Sequence, residues 1–360
     1  MKLFVILLLA CLAGGKHARS EDAGDFAKSY ARSNHFAGTV LIYSGGKLQF
    51  HQAFGFANLE FQVTNAPSTK FRIASITKLF TAVLIMQLQE SGKLNLAKTI
   101  SEYLPSYKGP GASKVTLRHL LTHTSGIENM DTVGTMVEAL KEGIPVYQRP
   151  MTLDQLIERH CSGRLVNQPG SVFDYNNADY VILGKVIEVT TKASFAEALR
   201  DGILRKAGMV DSGLCARSEI VPRLAETYFY REELHRLTPD LPVYWENWHA
   251  AGAMYSTAED LLRFSNALFG GRLLSAQSLQ EMLQSGAGEY GFGTWVYNDY
   301  EIATKRYTVV KRPGRIMGAQ SVLFHVLGTD STVIILSNTS RTNLDHFAAA
   351  IAARLSGLSL

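Results

Sequence analysis

Apolar positions recur along this chain in two rhythms. Alternation from Phe36 to Tyr43 and again from Leu48 to Phe56, with Ser44-Gly45-Gly46-Lys47 between, predicts an antiparallel hairpin that turns at the glycine pair. Helical spacing predicts a first helix over residues 23 to 33 and a second from Ser75 through Leu88. The second is apolar on nearly every face, which marks a helix buried on most sides. Such a helix belongs in the middle of a domain.

The rhythm changes after Ser91-Gly92-Lys93. From about residue 94 to 224 the pattern is helical: Leu117 to His123 closed by Thr124-Ser125-Gly126, Leu153 to Cys161, Ala178 to Val189, and Phe195 to Lys206 closed by Gly208. A strand candidate, Thr227 to Tyr230, then leads to helices at Ala258 to Leu268 and Ala276 to Leu283. Strand candidates follow at Phe292 to Tyr297, Tyr307 to Val310, Ser321 to Val326 and Thr332 to Leu336, and an amphipathic helix closes the chain from Leu344 to Leu355. The tight spacing of the last strands favours antiparallel neighbours. The fold class is therefore α+β: one antiparallel sheet flanked by helices, with an inserted, mostly helical domain. Residues 21–93 and 225–360 make the sheet domain and residues 94–224 the helical one.

Composition narrows the picture. With 46% apolar and 19% charged residues among 360, the chain has ample material for a packed core. The formal charge of +4 owes much to Lys2, Lys16 and Arg19, so the balance calls for no nucleic-acid partner. Met1-Lys2 followed by Leu3 to Ala13 has the basic start and short apolar core of a secretory signal within residues 1–20, too short to span a bilayer. A periplasmic or secreted location follows, with no integral span after signal removal. An alternative takes Leu8-Leu9-Ala10-Cys11 as a lipoprotein box with a tether at Cys11. Cys161 and Cys215 then remain, bridged or free.

Candidate chemistry begins at the head of the central helix. Ser75 and Lys78 are three apart and so share a face; a lysine among apolar neighbours loses part of its preference for the charged form and can take a proton from a nearby hydroxyl. The same spacing in Ser44 to Lys47 falls on the hairpin tip, where it has no such meaning. Tyr175 and Asn177 stand two apart just before a helix, where a loop can aim both at one point. A phenol beside a cationic lysine deprotonates more easily, and an amide can hold both a substrate carbonyl and the lysine. In the bland reading Asn177 caps the helix and Tyr175 merely packs. Gly-x-Ser-x-Gly, His-Glu-x-x-His, Cys-x-x-Cys and the phosphate-binding glycine loop are absent, which disfavours an elbow hydrolase, a zinc protease and a nucleotide enzyme. A serine–histidine–aspartate reading using His119, His123, His249 or His325 is set aside, since Lys78 supplies a base and His119 and His123 read as structural.

These stretches, in this order, resemble the serine β-lactamase and penicillin-binding superfamily, in its class C β-lactamase-like branch with related D-peptidases and esterases. The resemblance runs from Phe36-Ala37-Gly38 through Phe71 to Lys78, Leu120 to Gly126, Tyr175 to Asn177 and Ala251 to Leu261 up to Val333 to Asn338. It implies a β-lactamase/transpeptidase-like fold with the active site in the cleft between the two domains. It also implies a nucleophile at Ser75 with Lys78 and Tyr175 handling its proton, a substrate-orienting Asn177, and release of the acyl-enzyme by water with Tyr175 again the base. The family's third motif, a basic residue, a hydroxyl residue and glycine, falls on Arg312-Pro313-Gly314, where proline has neither hydroxyl nor N–H to offer a carboxylate. Arg312 is then either a bidentate carboxylate clamp or a solvated charge at a strand end. The backbone amides of Ser75 and Arg315 are expected to form the oxyanion hole. The expectation is an exported serine hydrolase acting on a β-lactam or D-amino-acid peptide, with no metal and no cofactor. The alternatives are a carboxylesterase of the same fold and a catalytically silent envelope binding protein.

Overall fold

The computed structural model describes residues 22–131 and 133–355; the segment expected as a secretory signal, with Cys11, lies outside the described residues. Helix α1 (Ala23–Ser33) leads into strands β1 (Gly38–Ser44) and β2 (Lys47–Phe54), the hairpin turning at Gly45 and Gly46 with positive φ. The central helix α2 spans Thr77–Glu90, and a long helix α3 spans Asn177–Thr191. Strands β3 (Trp295–Ile302), β4 (Lys305–Ile316), β5 (Ala319–Val326) and β6 (Ser331–Ser337) precede the closing helix α4 (Leu344–Ala352).

The six strands form one antiparallel sheet in the order β3-β4-β5-β6-β1-β2, so β1 sits beside β6 at the other end of the chain. Side chains alternate across a strand, and both faces here are covered. Val40, Ile42, Val322, Phe324, Val333 and Ile335 pack with α1 and α4. Leu41, Leu323, Ile334 and Leu336 point the other way, into the large core built around α2. Every residue of β6 is buried, which explains its uninterrupted apolar run.

Helix α2 is buried continuously from Thr77 to Met86, with Phe80 stacked on Phe264 at 3.8 Å between ring centroids. Helix α3 crosses close to residues 249–252 because it carries Gly184: a Cβ there would stand 2.6 Å from His249 Nδ1 and 2.7 Å from the Ala250 Cβ. This close approach brings the Ala250 and Ala251 carbonyls against α2, where they accept from Thr81 Oγ1 at 2.7 Å and Lys78 Nζ at 2.9 Å.

Three details differ from the sequence expectation. Tyr228–Arg231 pairs with Arg236–Pro239 in a separate ribbon and does not join the main sheet. The strand expected at Phe292 to Tyr297 starts only at Trp295, because Gly293 turns the chain with φ +76. The strand expected to end at Val310 continues to Ile316, paired with β5 throughout. On its other side the pairing with β3 stops at Trp295↔Lys311, leaving Arg312 to Ile316 as an edge, which is where a proline is tolerated in a sheet. Cys161 and Cys215 are both buried and free. Among the described residues no helix is long and apolar enough to cross a membrane.

Candidate active site

Ser75 lies on a 3-10 turn, Ala74–Ile76, immediately before α2. Ala74 adopts φ +47, a left-handed conformation that costs a non-glycine residue on the order of 1 kcal/mol and is held by its surroundings. Thr77 Oγ1 donates to the Ala74 carbonyl at 2.7 Å and accepts from the Met254 N–H at 3.2 Å. The Ile73 carbonyl accepts from Ser321 Oγ at 2.8 Å. The turn is thus tied to a neighbouring strand and to β5, and the Ser75 side chain is left partly exposed.

Lys78, one turn on, is fully buried. Its ammonium donates to Asn177 Oδ1 at 2.6 Å, to the Ala251 carbonyl at 2.9 Å and to Ser75 Oγ at 3.3 Å. Three acceptors match the three N–H bonds of a charged lysine, although burial pushes its pKa down. The ammonium also stands 4.8 Å from the centroid of the Tyr175 ring.

The two asparagines at the head of α3 divide the work. Asn176, not Asn177, is the helix cap: its Oδ1 accepts from the Ala178 N–H at 2.9 Å, and its Nδ2 donates to the Ile127 carbonyl at 2.8 Å. Asn177 is thereby left to face the site. Its amide orientation is dictated by chemistry, since Lys78 can only donate and Asp131 can only accept. Oδ1 meets the lysine, and Nδ2 donates to Asp131 Oδ2 at 2.7 Å.

Arg312 is also fully buried. Nε donates to the Ser75 carbonyl at 2.7 Å and Nη2 to the Tyr175 hydroxyl at 2.8 Å. Tyr175, Tyr290 and Trp295 surround the guanidinium, at 5.7, 6.0 and 5.2 Å from their ring centroids. The solvated-charge alternative is overturned, since the side chain is buried. Nε and Nη2 are taken up by the Ser75 carbonyl and the Tyr175 hydroxyl, while Nη1 is buried without a partner. Gly314 is required by close approach: a Cβ would fall 2.3 Å from the Ile73 carbonyl and 3.0 Å from the Ser75 nitrogen. The Arg315 side chain turns outward to pair with Asp345, so only its backbone is available to the site.

The electrostatic result centres on Tyr175. Burial alone would push its phenol up, but Arg312, then Lys78, and hydrogen bonding by Lys78 and Ser75 bring it down to about 8. Behind its ring lies His123, 4.4 Å away between centroids. His123 has φ +54 and sits beyond the short helix Leu117–Leu121, not on its face. Its Nδ1 lies 3.2 Å from the Asn176 nitrogen and 3.0 Å from Asp179 Oδ2. Burial drives the Asp179 carboxyl well above its usual range and His123 well below. The pair buttresses the tyrosine; no hydrogen bond from His123 to Ser75 occurs among the described residues. His119, by contrast, helps cap its own helix, accepting from the Thr116 N–H at 3.2 Å.

Sequence reasoning passed over Asp131, Tyr147, Asp179, Tyr290 and Trp295. Tyr147 stacks on Trp248 at 3.7 Å between centroids and donates from its hydroxyl to Asp131. Nothing local in the sequence marks these residues, because they reach the site from separate loops, helices and strands.

A serine at the head of a buried helix, a lysine one turn on and a tyrosine with a depressed pKa, set beside a six-stranded antiparallel sheet, define a serine hydrolase of the β-lactamase/transpeptidase fold. The chain belongs to the Beta-lactamase family, which it matches over residues 25–358. It is 30% identical over 280 residues to PbpX of Bacillus subtilis (strain 168), named as a penicillin-binding protein, covering 77% of this chain and 66% of that protein. It is 26% identical to a teichoic acid D-alanine hydrolase of Staphylococcus aureus, covering 87% of this chain and 73% of the relative. Both relatives are longer than this chain, which spans about two thirds to three quarters of their length. A crystal structure of a penicillin-binding protein from Bacillus halodurans superposes with a TM-score of 0.79 at 28% identity, covering 91% of this chain and 99% of that one.

Proposed function

We propose that this protein is an exported serine hydrolase that accepts an acyl group on Ser75 from a D-amino-acid amide or ester, or from a β-lactam, and passes it to water. The observation that carries the reading is the placement of the Tyr175 hydroxyl between two cations, Lys78 and Arg312, with the Ser75 hydroxyl 3.3 Å from the lysine. A phenol at about 8 supplies a workable fraction of phenolate near neutral pH. In this reading Tyr175 takes the serine proton while Lys78, with an acceptor for each of its N–H bonds, remains the cation. This reverses the emphasis of the sequence, which assigns the base first to the lysine.

The Ser75 and Arg315 backbone amides are the candidate donors to the developing oxyanion. The contact of Gly314 with the Ser75 turn supports this by bringing the β4 edge against the nucleophile. After the leaving group takes the proton from Tyr175, the same phenolate activates water against the acyl-enzyme. The cleft between residues 94–224 and the sheet-forming remainder is the proposed substrate route.

The teichoic acid D-alanine hydrolase named above supports an envelope substrate with a D-alanyl group. Pro313 and the inward-turned Arg312 favour a second reading, hydrolysis of small acyl esters. Both remove the usual means of holding a carboxylate. Intact-mass analysis after exposure to penicillin, an activated ester and a fluorophosphonate, with peptide mapping, tests the proposal. An adduct on Ser75 that disappears in Ser75→Ala is expected; no adduct from any of the three reagents would point to a silent binding protein.

A further inference from the structure

We propose that Asp240 is a positioning residue for hydrolysis at Ser75: its carboxylate holds the tip of the β4–β5 hairpin and, through it, the Arg315 backbone amide beside the nucleophile. This rests on the reading of Ser75 as the nucleophile and of the Arg315 N–H as a donor to the oxyanion.

The end of β4 needs holding. Its pairing with β3 stops at Lys311, so from Arg312 to Ile316 it pairs with β5 alone among the described residues. The hairpin then turns through Met317 and Gly318, and Met317 has φ +47, a conformation that disfavours any residue with a Cβ. Arg315 follows Gly314, which lies against the Ser75 turn, and stands three residues before Gly318. A displaced tip therefore carries the Arg315 amide with it.

Asp240 fixes that tip. The Gly318 N–H donates to Oδ1 at 2.9 Å and to Oδ2 at 3.1 Å, a charge-assisted contact. Asp240 immediately follows the strand Arg236–Pro239 of the separate ribbon, in which Pro239 pairs with Tyr228. The ribbon also presses on the tip directly: a Cβ on Gly318 would fall 2.5 Å from the Tyr228 nitrogen and 2.5 Å from its carbonyl oxygen. The Tyr228 N–H in turn donates to the Asn338 carbonyl at 2.9 Å, just past the end of β6. The ribbon that stays out of the main sheet thus clamps the strand end beside the nucleophile. Oxyanion donors act only at close range, and a misplacement of about 1 Å can cost on the order of a hundredfold in rate.

Protonation gives this role a signature. Asp240 is half-buried in the wall of a cavity of about 540 Å³, whose other charged residues are Glu60, Arg72, Arg217, Glu219, Glu226 and Glu246. Burial raises its carboxyl most, Glu226 adds to the rise, and Thr227, the Gly318 N–H and Arg72 oppose it, leaving it at about 6. Below that pH one oxygen carries a proton and the charge assistance to Gly318 is lost.

The test measures kcat and KM for a p-nitrophenyl ester between pH 5 and 7.5, read at the isosbestic wavelength of p-nitrophenol. Wild type is compared with Asp240→Asn, which keeps one acceptor oxygen and does not titrate. At pH 7.5 the variant should lose roughly five- to twentyfold in kcat with KM within about twofold. Wild type should lose this advantage as pH falls through about 6, so that the two kcat profiles come within about threefold of each other by pH 5. In wild type alone, log kcat should fall more steeply below pH 6 than above it. A variant kcat within twofold of wild type at pH 7.5, whatever its Tm, overturns the proposal. So do profiles that stay parallel, or a wild-type slope that does not steepen; each of these leaves the serine-hydrolase reading standing. If wild type turns over no ester and forms no fluorophosphonate adduct at Ser75, that reading falls and this one with it.

Discussion

Replacing Arg312 by glutamine is the sharpest probe of the proposed base. Tyr175 is held at about 8 against an ordinary value of 10, and Arg312 is the largest influence acting downward. Two pKa units correspond to about 2.7 kcal/mol in favour of the phenolate. With the guanidinium gone, burial is opposed mainly by Lys78, and the phenol moves back toward 10. At pH 7 the phenolate fraction then falls from roughly one in ten toward one in a thousand, so kcat/KM should drop by about 30- to 100-fold. The direction with pH follows: the deprotonated phenol is the active form, so wild-type activity rises as pH increases through about 8, and in the variant this rise is displaced upward by one to two units. The assay is kcat/KM for a p-nitrophenyl ester between pH 6 and 10.5, corrected for spontaneous hydrolysis. Arg312→Lys, which keeps the charge but not the fork to the Ser75 carbonyl, should retain a rise closer to that of wild type. An Arg312→Gln profile with its midpoint still near 8 and only a lower plateau would refute the argument, leaving Arg312 as a brace for the serine turn.

Gly314→Ala places a Cβ 2.3 Å from the Ile73 carbonyl; turnover should fall tenfold or more and the fold lose about 1–3 kcal/mol, checked by active-site titration and thermal melting. His325 is buried against Phe269, and burial lowers it to about 3 from 6.5, so the stability it contributes is complete above 6.5 and is lost as pH falls from 6.5 toward 3. Up to about 2–3 kcal/mol should be lost by pH 4.5, and His325→Phe should flatten the decline of Tm across that window. In a protein lacking residues 1–20, Cys161 and Cys215 should resist a disulfide-exchange reagent in the native state, and two thiols should titrate on unfolding.

The sequence carried the parts of the site that are local. Ser75 and Lys78 are joined by one helical turn, and the hairpin at Gly45-Gly46 and the helices flanking the sheet follow from periodicity. Tyr175 and Asn177 became chemical candidates only in combination with Ser75 and Lys78, because two adjacent asparagines before a helix do not reveal which one caps it. The inward course of Arg312 was not legible: whether a strand-end arginine is solvated depends on Tyr290 and Trp295, which arrive from a neighbouring turn and strand. Asp131 and Asp179 were missed for a similar reason. An acid in a loop or on a helix acquires meaning only from partners such as Asn177 and His123, 46 and 56 residues away.

The position of β1 between β2 and β6 bears on how the molecule comes into being. Gly38 pairs with Ser337, so the middle of the sheet joins segments made early and late in synthesis. Pairings of such sequence separation are slow to form, because the loop must close before any contact rewards it. A growing chain that stops short of residue 312 has Ser75 and Lys78 but lacks the arginine that secures the serine turn and acidifies the tyrosine. On the proposed mechanism the site is complete only once the C-terminal strands have docked, so catalytic competence belongs to the finished sheet and not to the serine and lysine alone.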